Sequence, residues 1–304
     1  MDSLGGVRWL EDGSAEAVAE ALGKVGLGGH PVVVRESVGD DPLWWSASAV
    51  VGGRYVVKFA WSQPAALRLA HEIAVLAALR PAVRCLPEVV ASSTDPVLLV
   101  TRLVPGEALF DVVDSLDRDQ VGRQLAEFLG ELHNQAAHDY PAASLQPATT
   151  DVLREQFPRW ARPDQRADVI SWCDWADDVL RPPGPQVLVH GDLHGGNQVW
   201  DGGKLRVVVD FETAGLADPE YDLRTFPGTG PGVELLTATI RQYAQITGRE
   251  LSVDRAMAWH LRTALADALW RSEEGVPLPD GRTPQEWVDD LRDRFAALGI
   301  STNR

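Results

Sequence analysis

The densest run of chemistry-bearing residues is His190-Gly191-Asp192-Leu193-His194-Gly195-Gly196-Asn197, followed by Val207-Val208-Val209-Asp210-Phe211-Glu212. Asn197 and Asp210 flank a hairpin centred on Gly202-Gly203. Antiparallel pairing returns the chain on itself, so their side chains are expected to end near each other. A carboxylate beside an amide oxygen makes a hard-oxygen site for Mg²⁺. That ion takes few protein ligands and completes its shell with phosphate and water. Asp192 lies five residues before Asn197 in a glycine-rich loop, free to face a substrate hydroxyl. A positioned carboxylate, a metal to neutralise phosphates and little covalent chemistry are what phosphoryl transfer requires.

A second set lies upstream. In Arg54-Tyr55-Val56-Val57-Lys58-Phe59-Ala60, strand alternation puts Val56, Lys58 and Ala60 on one face. A lysine among apolar neighbours is poorly placed for solvent and well placed to meet phosphates. Glu72, fourteen residues on, is the carboxylate that would hold it, as in a kinase-type ion pair.

The elements that must position these residues fall into two parts. Residues 14–24 read as a short helix. Stretches 31–38, 43–51 and 53–60 are rich in Val and aromatics, separated by Gly39-Asp40-Asp41-Pro42 and Gly52-Gly53, and read as an antiparallel meander. Residues 63–80 form a helix striped by Leu69, Ile73 and Leu76 and stopped by Pro81, with strands at 86–91 and 96–104 after it. Beyond Pro105-Gly106 the pattern is helical at 117–137, 165–180, 231–247, 254–274 and 284–298, interrupted by the 198–211 hairpin. Strands first and helices after give an α+β class, with a sheet-rich lobe at 1–104 and a larger helical lobe at 105–304.

With 304 residues, of which 45% are hydrophobic, the chain can bury real cores without staples. Its 44 acids against 28 bases give a formal charge of -16. Such a surface repels nucleic acid and favours cationic small molecules or metal-bridged anions. Cys85 and Cys173 are the only cysteines, so a reducing cytoplasm fits, and both are expected as small buried hydrophobes. The first residues show no signal peptide, and no apolar run suggests a membrane span.

The His-Gly-Asp-x-x-x-x-Asn pattern with its downstream aspartate resembles the aminoglycoside phosphotransferase/choline kinase family, small-molecule kinases with a two-lobed protein-kinase-like fold. The resemblance runs from about residue 31 to 225. It implies ATP or GTP and Mg²⁺ as cofactors, Asp192 as catalytic base, Asn197 and Asp210 as metal ligands, and Lys58, locked by Glu72, on the nucleotide phosphates. Leu98-Leu99-Val100-Thr101-Arg102-Leu103 looks like the adenine hinge, where the backbones of Thr101 and Leu103 would meet the base. The loop from Ser37 to Ser46 would cover the phosphates, with Ser46 among the nucleotide contacts and Asp40 and Asp41 at the solvent-facing tip. Ala217-Asp218-Pro219-Glu220-Tyr221-Asp222-Leu223 resembles the family's segment after the metal aspartate, with Asp222 a brace for the catalytic loop.

Several side chains have a plainer reading beside the chemical one. His190 and His194 are four apart, but the intervening glycines argue against a helical zinc pair, and His190 is expected to brace the loop. His133 and His138 read as helix-surface residues. Glu212 reads as a hydrogen-bonding neighbour of Asp210. Gly202-Gly203-Lys204-Leu205 lacks the spacing of a phosphate loop. In 254–274, Asp267, Trp270 and Glu274 share a helix face that suits a cationic acceptor, against a plainer reading of an Asp267–Arg271 pair over a core tryptophan.

The function expected is phosphorylation of a hydroxyl on a small molecule, with an antibiotic as leading acceptor class. A metabolic kinase for choline, an amino alcohol or an amino sugar would differ only in the acceptor pocket. A protein kinase is disfavoured, because Asp210 is followed almost at once by Ala217-Asp218-Pro219, with no Ala-Pro-Glu. A non-catalytic nucleotide-binding module predicts loss of Lys58, Asp192, Asn197 or Asp210, and all four are present.

Overall fold

The computed structural model describes residues 6–34, 42–80, 82–135, 149–229 and 233–302. The chain divides into two compact units: Met1–Gly106 with Arg206–Ala214, and Glu107–Leu205 with Gly215–Arg304. The boundary at Gly106 lies two residues past the one expected, and a short segment that begins within the second strand of the hairpin joins the first unit. The reason is local bonding. Val208 N–H donates to the Cys85 carbonyl (2.8 Å), and Phe211 N–H donates to the Glu72 carboxylate (3.2 Å).

The first unit contains α1 (Ala15–Lys24), β1 (Val32–Val34), β2 (Ser46–Val51), β3 (Tyr55–Ala60), α2 (Gln63–Leu79), β4 (Val89–Thr94) and β5 (Val97–Arg102). The strands form an antiparallel sheet in the order β1-β2-β3-β5-β4. Val57 and Phe59 of β3 enter a core with Val18, Leu22, Val51, Leu98 and Val100. Alternation therefore puts Lys58 on the opposite face of β3. Ser62 caps α2 by accepting the Ala65 N–H. The buried stripe of α2 runs through Leu69, Glu72, Val75, Leu76 and Leu79, while the expected Ile73 is only half-buried. A carboxylate sits in an apolar stripe because its counter-charge lies there too.

The second unit holds β6 (Glu107–Ala108), α3 (Leu109–Val112), α4 (Arg118–His133), α5 (Thr150–Gln156), α6 (Arg166–Leu180), β7 (Val187–Val189), β8 (Gln198–Asp201), and β9 (Lys204–Val208), which runs on into the first unit. It also holds β10 (Gly215–Ala217), a 3₁₀ stretch from Pro219 to Gly228, α7 (Glu234–Thr247), α8 (Val253–Glu274) and α9 (Pro284–Ala297). β7 pairs with β10, and β6 with β8. Helices α4 and α7 approach closely at Gly122, where a Cβ would come within 2.9 Å of the Ala238 Cβ. The expected helices at 117–137, 165–180, 254–274 and 284–298 match α4, α6, α8 and α9 to within a few residues, α4 ending four residues early at His133. Helix α5 had no expectation.

His260 of α8 is fully buried and fixes its own tautomer. Its Nε2 accepts from Arg294 Nη1 (2.7 Å), so Nδ1 carries the proton and donates to the Arg224 carbonyl (2.7 Å). Burial, reinforced by the Arg294 charge, pushes its imidazole down from 6.5 to about 3. The unfolded chain takes up this proton as pH falls through 6.5 and the folded chain does not until near 3. His260 therefore leaves stability intact above 6.5 and erodes it progressively below. Urea unfolding of His260→Gln across this range is expected to show a shallower acid loss of stability than the wild type. An identical slope in both would remove His260 from the titration.

Candidate active site

The second unit builds its site on the loop after β7. Asp222, wholly buried, accepts the His190 N–H and the Gly191 N–H at 2.9 Å each and faces His133 Nε2 at 3.3 Å. Burial opposes its charge, but hydrogen bonds from His133 and the His190 amide hold its carboxyl below the usual range. His133 also meets the Tyr243 hydroxyl through Nδ1 (3.2 Å). It is buried, not a surface residue as expected, because its place on α4 lies one turn beyond Leu129 on the core stripe. His138 lies outside the described residues.

The loop is held within itself as well. The Asp192 N–H donates to His190 Nδ1 (3.1 Å), and the His194 N–H donates to the Asp192 carbonyl (2.9 Å). Asn197 Nδ2 donates to that same carbonyl (3.0 Å), which leaves Asn197 its oxygen to offer elsewhere. Gly191 adopts a φ of 83°, open to glycine at no steric cost. Phe110 stacks on His194 with ring centroids 5.8 Å apart, and a Cβ on Gly195 would come within 2.8 Å of the Phe110 ring. Asp192 itself is 38% exposed at the side chain, a carboxylate open to a ligand on a braced backbone.

The first unit carries a charge cluster. Lys58 Nζ donates to Glu72 at 2.7 and 3.0 Å and to Asp210 Oδ1 at 2.9 Å. Burial alone would lower the lysine, but Glu72 and Asp210 drive it well above its ordinary value, so it stays charged. Glu212 lies 3.9 Å from Lys58 and 3.4 Å from Arg68, whose guanidinium rests 4.6 Å over Trp44. Burial pushes the Glu212 carboxyl up to about 7, against the pull of Lys58. Glu72, Asp210 and Glu212 each place an oxygen within 4.8 Å of the others, close enough to share one cation. A pocket of about 190 Å³ beside them is lined by Ser46, Ser48, Lys58, Leu69, Asp210 and Glu212. Asp210 adopts left-handed backbone angles (φ 73°, ψ 60°), a conformation aspartate tolerates better than most residues. His71 donates through Nε2 to the Ala214 carbonyl (2.7 Å), fixing the far end of this segment.

The structure thus brings together Lys58, Glu72, Asp210 and Ser46 in one unit, and His190, Asp192, Asn197 and Asp222 in the other. Thr101 sits in β5 opposite Val56, and the Leu103 N–H donates to the Arg54 carbonyl (2.9 Å). On α8, Asp267 receives both contacts of Arg271 Nε at 3.0 Å, while Trp270 is 51% exposed rather than in the core, and Glu274 is exposed. Residues 37–41 of the loop expected over the phosphates, with Asp40 and Asp41, lie outside the described residues. Cys173 is buried, and burial pushes its thiol up to about 12; Cys85 is only half-buried, at a φ of 57°. Arg68, Phe110, His133 and Arg224 were not singled out as site residues. Only His133 carried a usable signal, its place in the apolar period of α4. Among the described residues, no helix is long and apolar enough to cross a membrane.

Comparison with known proteins gives this arrangement a family. The model of the phosphotransferase enzyme family APH matches residues 44–260. Viomycin phosphotransferase of Streptomyces vinaceus is 33% identical over 208 residues, spanning 62% of this chain and 71% of that one. Streptomycin 6-kinase of Streptomyces griseus is 26% identical over 189 residues, 59% of each chain. In fold, the chain is similar to aminoglycoside 2'-phosphotransferase-IIIa, solved as its GDP complex, at a TM-score of 0.71, 19% identity and coverage of 94% of this chain and 100% of that one. It is also similar to macrolide 2'-phosphotransferase MphH from Brachybacterium faecium, with a TM-score of 0.60, 21% identity and 95% and 99% coverage. The family model takes in well over half of the sequence, residues 44–260 of 304, and so the chain belongs to the phosphotransferase enzyme family.

Proposed function

We propose that this protein transfers the terminal phosphoryl group of ATP or GTP to a hydroxyl of an antibiotic, and so confers resistance to it. The observation that carries the reading is the Lys58 ammonium held between Glu72 and Asp210 at the edge of a pocket. Two carboxylates hold the ammonium charged and fixed where it borders the pocket, so it can offer a donor to an anion that enters there. Nucleotide phosphates are that anion in this reading, with Ser46 on the pocket wall beside them and the Thr101–Leu103 backbone taking the base.

In the other unit, Asp192 orients the acceptor hydroxyl and takes its proton, while Asp222 and His190 keep the loop rigid. The donor set fits Mg²⁺. Asp210 offers a carboxylate oxygen, and Asn197, its nitrogen engaged, offers an amide oxygen. Mg²⁺, when bound, neutralises phosphate charge as it develops. For the acceptor, Trp270 and Glu274 are exposed on α8, with the Arg271 guanidinium 5.6 Å over the Trp270 ring, and a net charge of -16 suits a cationic partner. Two cysteines in 304 residues suit a reducing cytoplasm as the site of action.

Nucleotide turnover measured with viomycin, streptomycin, kanamycin, a macrolide, choline and an amino sugar tests this. Stimulation by one or more antibiotics is expected. Stimulation by choline or the amino sugar alone would replace the acceptor class and keep the chemistry. No stimulated turnover, with nucleotide bound, would favour a binding module.

A further inference from the structure

The Asp192 carboxylate is surrounded by donors that all stop short of a close bond. Asn197 Nδ2 lies 3.5 Å and His194 Nε2 3.6 Å from Oδ2, and Arg224 Nη2 lies 3.7 Å from Oδ1. Two donors on one oxygen and one on the other define the plane of a carboxylate that would otherwise turn freely. His194 contributes a proton on Nε2, because its Nδ1 accepts the Gly196 N–H (3.0 Å). Of the three, Arg224 alone carries a permanent charge, and it is only 6% exposed.

Arg224 is held through both terminal nitrogens and one face of its guanidinium. Nη2 donates to the Gly191 carbonyl (2.6 Å), Nη1 donates to the Tyr221 carbonyl (3.0 Å), and the guanidinium lies 4.0 Å over the Tyr221 ring. Its own carbonyl is gripped by His260, which Arg294 of α9 in turn holds. Its Nε is buried without a hydrogen-bond partner. Among the described residues, Asp192 is the one carboxylate within 4 Å of its nitrogens. A buried cation with an unsatisfied N–H and its counter-charge half in solvent is a poor device for stability. It is a good device for aim. Through the Gly191 carbonyl it fixes the backbone just before Asp192, and through Nη2 it faces the Asp192 carboxylate, so backbone and side chain are set by one rigid fork.

We propose that Arg224 is a positioning residue for Asp192, orienting the carboxylate toward the acceptor hydroxyl without touching either substrate. The inference rests on the reading of Asp192 as the base. Misplacing a reacting group by an ångström can cost about 100-fold, so kcat of Arg224→Met is expected to fall at least ~10-fold. The KM values for nucleotide and acceptor should stay within about 2-fold, since neither ligand loses a contact. Arg224→Lys, which keeps the charge and loses the fork, is expected to recover part of kcat.

The decisive comparison is a double-mutant cycle. In an Asp192→Asn background, Arg224→Met should cost nothing further, because the group it aims is gone. Unfolding midpoints of all variants accompany the kinetics, and Arg224→Lys carries the same cycle if Arg224→Met does not fold. Wild-type kcat in the Arg224 variants would overturn the proposal. So would an equal loss in both backgrounds, which marks a structural role. Full activity of Asp192→Asn by itself would instead strike the assignment of the base, a result separable from the other two.

Discussion

Asp192→Asn lowers phosphoryl transfer roughly 100-fold or more and leaves nucleotide affinity at its wild-type value, since a positioned base contributes about 10²–10⁴-fold. The fold should survive the change. The bonds that shape the loop run through the backbone of Asp192: its N–H to His190 Nδ1, and its carbonyl to the His194 N–H and Asn197 Nδ2. An amide has the shape of the carboxylate and is no base at neutral pH, and the nearest donors to this side chain stand no closer than 3.5 Å, so its nitrogen meets no steric clash. Single-turnover transfer together with equilibrium nucleotide binding separates the two effects. Near-wild-type transfer would show that Asp192 only lines the site.

The second large effect is expected at Asp210. Asp210→Asn keeps a residue that tolerates left-handed backbone angles, so strain is not confounded with charge. It removes the carboxylate that Lys58 and the metal share in the proposed reading. Nucleotide binding with Mg²⁺ should weaken at least ~10-fold, the scale on which partners of a metal site act, while binding in EDTA changes little. Titrations with and without Mg²⁺ on both proteins give the answer. An unchanged metal dependence would take Asp210 out of the metal site.

How much of this was legible in the sequence depends on whether a residue's role is local. The Lys58–Glu72 pair was readable because strand alternation and a helix fourteen residues away restrict where both side chains go. The loop from His190 to Asn197 was readable because glycines and short polar residues leave few other conformations. Asp222 was readable only through the family resemblance, since its bonds to the His190 and Gly191 amides span about 30 residues. His133 was misplaced because a histidine on a helix defaults to the surface, and the partners that satisfy its buried ring, Asp222 and the Tyr243 hydroxyl, lie 89 and 110 residues on. Arg224 carried no signal, as nothing in Asp222-Leu223-Arg224 says that the guanidinium turns back onto Gly191. The return of 206–214 to the first unit depends on Cys85 and Glu72 as partners, which a lobe boundary drawn from composition does not contain. On α8, the bland alternative for Asp267 was the one the ion pair with Arg271 realises, while Trp270 lies outside the core that alternative required.

The central claim is that the terminal phosphate of a nucleotide ends as an ester on a small-molecule hydroxyl, with Asp192 as base. Phosphorus-31 NMR of wild-type protein incubated with ATP, Mg²⁺ and each antibiotic of the panel tests it directly. A new phosphate-ester resonance, growing with nucleoside diphosphate and nearly absent with Asp192→Asn, is the predicted result. Inorganic phosphate as the sole product with every acceptor, or ester formed equally well by Asp192→Asn, would contradict it.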